Sequence, residues 1–118
     1  MSEAATTPPV QPSSPLWVYI TTSSLEEAQR IGRALVEERL AACVNILEGM
    51  RSIYRWEGEI QEGQETVLIA KTTAERLEPL TQRVGALHSY DCPCVVALPM
   101  VGGNGNFLAW IGEETRDA

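Results

Sequence analysis

Two stretches with helical periodicity each lie between strand-like segments, and that order constrains the fold of this chain more than any other feature. Leu25, Ala28, Ile31, Leu35 and Val36 recur at helical spacing with charges between them, up to about Leu40. Leu77, Leu80, Val84 and Leu87 repeat the pattern. LWVYIT, from Leu16, precedes the first helix and is β-branched and aromatic enough for a strand. Between the helices lie Ala41–Ile60, with Val44, Ile46, Ile53, Tyr54 and Trp56, and the continuous apolar run TVLIAKT. CPCVVALPMV follows the second helix, and a short terminal helix carries Phe107, Leu108, Trp110 and Ile111. The order is strand–helix–strand–strand–helix–strand plus a C-terminal helix. Two βαβ-like halves, residues 16–61 and 64–101, then share one sheet. This is the ferredoxin-like sandwich of the α/β (α+β) class, with right-handed crossovers.

Local signals place the boundaries. Ser24 with Glu27, and Thr72 with Glu75, have capping-box spacing. Pro79 must kink the second helix or mark a later start for it. Gly49 predicts a bulge or bend in the long second strand. Glu62-Gly63 reads as the hairpin turn, and Asn106 as the cap of the terminal helix. Residues 1–15 hold four of the seven prolines and little to bury, so they read as a disordered leader before a domain spanning 16–118.

Composition narrows the function classes. Nine basic residues against 16 acidic ones give a net charge of −7, and the acids are scattered along the chain. No basic stripe exists to neutralise phosphates, which excludes a nucleic-acid partner. No apolar run approaches the ~20 residues of a membrane helix, and residues 1–15 lack the pattern of a secretion signal. Three cysteines cannot all pair within one chain, which points to a reducing, cytoplasmic setting. With one histidine, no G-x-S-x-G elbow and aspartates only at Asp91 and Asp117, the chain reads as no enzyme.

The length of the second strand predicts self-assembly. If the hairpin turns at Glu62-Gly63, residues 41–52 lie beyond the reach of the partner strand. Fully extended, Ala41 to Gln61 would span ~70 Å at ~3.3 Å per residue, against a radius of gyration of ~13 Å for a compact domain. Such an edge needs a cover, and another copy of the chain is the simplest one.

ACVNI, SIYRWEGEI, ETVLIAKT, HSYDCP and FLAWI occur here in this order and spacing. Together, from about Val18 to Ile111, they resemble the CutA divalent-cation-tolerance family. The resemblance implies a ferredoxin-like homotrimer joined through edge strands, linked to tolerance of copper and other divalent metals, with an architecture similar to the PII signalling proteins. Copper ligation in some members is attributed to a first-strand Cys and a His pair before a Tyr. Those positions fall here on Thr21, Leu87 and His88, so one of the three ligands carries over.

The candidate site residues follow. His88, Cys92 and Cys94 form H-x3-C-x-C, whose thiolates and imidazole suit copper as Cu(I), or Zn(II). The competing reading makes both cysteines small core residues, as it does Cys43. Tyr54 and Trp56 share one face of the long strand, with Arg55 and Glu57 opposite. These four are expected at a subunit interface, Arg55 and Glu57 as cross-subunit ion pairs. Lys71, the only lysine, either pairs with Glu65 or holds a small anion in a subunit cleft with Tyr90 and Trp110. The two functional readings are a trimeric cation-tolerance protein with weak soft-metal binding, and a PII-like small-molecule or anion sensor.

Overall fold

The computed structural model describes residues 10–116. Its order is β1 (Pro15–Thr22), α1 (Leu25–Glu37), β2 (Cys43–Trp56), β3 (Glu59–Thr73), α2 (Leu77–Leu87), β4 (Val95–Pro99) and α3 (Gly105–Glu114), with a 3-10 turn at Ala74–Arg76. The strands form one antiparallel sheet in the order β2-β3-β1-β4. This is the expected sandwich. Alternate residues of the strands (Leu16, Val18, Ile20, Leu68, Ala70) pack with Ala28, Ile31 and Leu35 of α1 and Leu80 and Val84 of α2 into one core. Helices α1 and α2 therefore cover one face. The other face carries Trp17, Tyr19, Val67, Ile69 and Lys71, and α3 lies at its Lys71 end, with Phe107 beneath the ammonium.

The hairpin turns five residues earlier than expected. Trp56 pairs with Glu59 across Glu57 and Gly58, both at positive φ (50° and 80°), the type I′ signature. Residues 43–56 then find partners in 59–73, whereas a turn at Glu62-Gly63 would have left 41–52 without any. Backbone hydrogen bonding decides between two similar Glu-Gly pairs. The premise of an unpaired 41–52 segment is thereby overturned. A different overhang replaces it: β1 pairs β3 only from Thr66 onward, so residues 50–65 form a two-stranded arm about 23 Å long at ~3.3 Å per residue. Gly49, at φ 79°, sits in a bulge between Leu47 and Met50, as its position predicts.

Other ends differ in detail. Ser24 Oγ accepts from Glu27 N at 3.1 Å, as expected of the first cap. Thr72 caps nothing: it is buried in β3 and donates its hydroxyl to Leu40 O. Pro79 is the third residue of α2, in the first turn where no amide has an intrahelical partner, so it costs no hydrogen bond. The cap of α3 is Asn104, accepting from Asn106 N and Phe107 N, not Asn106. Strand β4 begins only at Val95, leaving Cys92 and Cys94 exposed outside it, so neither is a core residue. Residues 1–9 of the expected leader lie outside the described residues. Pro12 and Ser14, by contrast, accept from Glu75 N and Ala74 N at the start of the second helical segment.

Candidate functional site

The chain passes from α2 to β4 through a strap, residues 88–94, that crosses the end of β1. Strand β4 pairs β1 only as far as Ile20, so the Thr21 carbonyl lacks a ladder partner on that side. His88 fills the gap. Its Nε2 lies 2.7 Å from Thr21 O, and its Nδ1 accepts from Tyr90 N at 3.0 Å. A ring nitrogen that accepts from an amide carries no proton, so the proton sits on Nε2 and is donated to Thr21. The ring has no exposed side-chain surface and packs on Tyr90, centroids 4.6 Å apart.

Glu27, the third residue of α1, ties the same strap to the helix N-terminus. Its Oε1 accepts from Ser23 N and Ser23 Oγ, both at 2.9 Å, and its Oε2 from Ser89 N at 2.8 Å. Burial alone would push this carboxyl up. The hydrogen bonds from Ser23 and Ser89 outweigh it and hold the group at about 2. The buried carboxylate also meets the positive end of α1.

On the face opposite α1 and α2, Tyr90 donates its hydroxyl to Glu65 Oε2 at 2.9 Å, and Ser52 donates to Glu65 Oε1 at 2.6 Å. The strap is thus anchored to the base of the arm as well. Burial, then the hydrogen bond and charge of Glu65, push the Tyr90 phenol above the ordinary tyrosine range. Cys94 lies beside the same carboxylate. Partial burial and the Glu65 charge push its thiol up, against an opposing hydrogen bond with the Thr21 side chain.

The residues singled out from the sequence separate into groups. His88, Tyr90, Cys92 and Cys94 share the strap. Lys71 does not pair with Glu65, which lies six residues away, about 20 Å along β3. Instead it donates to Asn45 Oδ1 at 2.6 Å and sits 5.8 Å from the Phe107 ring centroid, with Trp110 packed on Phe107. Lys71 and Trp110 thus share a neighbourhood that Tyr90 does not enter within one chain. Tyr54 and Trp56 lie on the same side of the arm as Met50 and Ser52, both about half exposed, while Arg55 faces the other way with Ile53. Glu57 stands in the turn itself.

The expected copper ligands do not converge. Both nitrogens of His88 are engaged within the protein, and among the described residues no three His, Cys, Asp or Glu side chains are grouped to hold a metal ion. Glu27 and Glu65 are the anchoring groups that the sequence reading missed as such. The capping-box spacing flagged Glu27, but nothing in the sequence linked it to Ser89, 62 residues away.

Residues 16–114 match the family model described as CutA1 divalent ion tolerance protein. The divalent-cation tolerance protein CutA of Thermus thermophilus is 54% identical over 98 residues, covering 83% of this chain and 95% of that protein. The chloroplastic CutA of Arabidopsis thaliana is 46% identical over 100 residues, or 85% of this chain, which spans 55% of the length of that relative. Among solved structures, the Thermus thermophilus protein superposes with a TM-score of 0.85 at 52% identity, covering 86% of this chain and 99% of that one. The CutA of Archaeoglobus fulgidus, described as periplasmic, gives 0.84 at 43% identity, with 86% and 99% covered. A family model that spans most of the chain, a relative at 54% identity and a superposition at a TM-score of 0.85 agree, and the chain belongs to the CutA1 divalent ion tolerance family.

Proposed function

We propose that this chain is a cytoplasmic, homotrimeric, non-enzymatic cation-tolerance module that assembles through its helix-free sheet face and its arm, and that it binds a soft metal ion weakly at the strap. One observation carries the assembly. On the face opposite α1 and α2, Leu47 (59% exposed), Trp56 (52%), Val96 (53%) and Leu98 (56%) line up with Tyr54 and half-buried Trp17 and Tyr19. An apolar face of this extent, running on to an arm that no further strand covers among the described residues, is the kind of surface that a protein interface uses. The outer edge of β2 adds unpaired backbone donors and acceptors beside it. Apolar burial is insensitive to salt, so the trimer persists in high salt, whereas rim pairs of Arg55 or Glu57 contribute no more than about 1 kcal/mol each.

Sedimentation velocity at micromolar concentration is the test. A trimer that dissociates in Trp56→Glu, with the far-ultraviolet circular dichroism retained, supports the reading. A monomeric native chain overturns it. The sensor reading draws on one observation, the grouping of Lys71, Asn45, Phe107 and Trp110 at the end of β3. A small anion held there would raise the melting temperature of the native chain and not of Lys71→Met. Equal shifts in both exclude that site.

A further inference from the structure

Lys71 is the one lysine of a chain whose net charge is −7. Arg30, Arg33 and Arg83 each pair with a glutamate, whereas among the described residues no carboxylate meets the Lys71 ammonium. One of its three N–H donors goes to Asn45 Oδ1 at 2.6 Å. Asn45 is exposed, and with its oxygen on the ammonium its NH2 group keeps two donors beside the charge. A cation and an amide thus stand together with donors to spare. Aromatic rings flank them. Trp17 is the direct cross-strand neighbour of Lys71 on β1, which puts their Cβ atoms about 5 Å apart on the helix-free face. Helix α3 packs on β1 and β3 and brings in the Phe107 ring, 5.8 Å from the ammonium. Trp110 packs on Phe107 with centroids 5.5 Å apart, and the two residues are 37% and 41% exposed.

The donors and the rings together select a ligand. The ammonium and the amide suit an anion with two acceptor oxygens, one for each donor group. A polyphosphate would bring several negative charges to a single ammonium in an acidic chain, whereas a monoanion matches it. An aliphatic acid would gain only the area it buries against the rings. A flat aromatic acid gains offset stacking as well. We infer that the corner formed by Lys71, Asn45, Trp17 and α3 binds a small aromatic monocarboxylate, its carboxylate on Lys71 and Asn45 and its ring against Phe107 and Trp110. This rests on the sensor reading of the proposed function and names the class of ligand for it. Neither the metal nor the assembly reading enters.

The experiment is isothermal titration of the full-length chain with three probes at neutral pH and low salt: 2-naphthoate, acetate and 2-naphthamide. The native chain is expected to take one 2-naphthoate per protomer. Acetate lacks the ring and 2-naphthamide the charge, so each binds more weakly by more than about tenfold. Lys71→Met weakens 2-naphthoate by more than about tenfold, and Trp110→Ala by about three- to tenfold. Arg33→Met removes an exposed cation elsewhere and leaves binding within about twofold. Circular dichroism and sedimentation verify that the variants keep fold and assembly. Acetate bound as tightly as 2-naphthoate, with both lost in Lys71→Met, overturns the aromatic class while the anion-sensor reading survives. 2-Naphthoate bound equally by the native chain and Lys71→Met overturns the site. No binding of any probe by a folded native chain overturns both the inference and the sensor reading, and leaves the assembly standing.

Discussion

Replacing Glu27 by Gln isolates what one buried charge does for this fold. The substitution keeps the shape and the Oε1 that accepts from Ser23. It removes the charge and turns an NH2 group toward Ser89 N, a donor facing a donor. The native carboxyl is held at about 2 against an ordinary 4.5, and the side chain is only 5% exposed. A shift of that size corresponds to about 3 kcal/mol at ~1.4 kcal/mol per unit. Because the folded-state value is depressed, the stabilisation is complete above pH ~4.5 and drains away as pH falls toward ~2. Glu27→Gln should therefore lower the unfolding free energy by about 2–3 kcal/mol at neutral pH. The two proteins should converge as pH falls through that window. Urea unfolding at matched protomer concentration, repeated at several pH values, measures the difference. Hydrogen exchange should accelerate at Ser89 N more than at Ser23 N. A neutral-pH difference under about 0.5 kcal/mol, or one that stays constant down to pH ~3, would refute the charge argument.

Further consequences are open to simpler measurements. Glu57 occupies the first position of a type I′ turn at φ 50°, where asparagine is favoured, so Glu57→Asn should raise the urea midpoint by the equivalent of about 0.5–1 kcal/mol. His88→Ala removes a fully enclosed ring and orphans Thr21 O and Tyr90 N; in chelator-treated buffer it should cost about 2–4 kcal/mol, whereas a ring serving only as a metal ligand would cost nothing without metal. Tyr90→Phe should cost about 1 kcal/mol, and the spectroscopic titration of the native chain should lose its highest-pH phenol step in that variant.

Much of the architecture was legible because it depends on short-range periodicity. Leu25 to Val36 and Leu77 to Leu87 repeat every three to four residues, and such a pattern buries one face wherever the helix lies. The Ser24–Glu27 cap was legible for the same reason, since both partners stand within one turn. The bulge at Gly49 announced itself through the one residue that tolerates positive φ without strain. The family resemblance rested on segments spread over most of the chain, so it survived errors in individual boundaries.

What failed to be legible depends on partners distant in sequence. Glu57-Gly58 and Glu62-Gly63 are equivalent as local turn signals, and only the strand pairing of 43–56 with 59–73 separates them. Lys71 and Glu65 share a face by alternation, yet six residues of extended chain keep them apart, and Asn45 on the adjacent strand takes the ammonium. The H-x3-C-x-C spacing makes His88 a candidate metal ligand. Its role was decided by a carbonyl at Thr21 that β4 leaves unpaired, 67 residues earlier in the chain. Helix and strand preferences act within a few residues, so local pattern is enough to place those segments. Which polar groups are already spent depends on the folded chain, because a buried donor or acceptor must find its partner wherever the fold brings one.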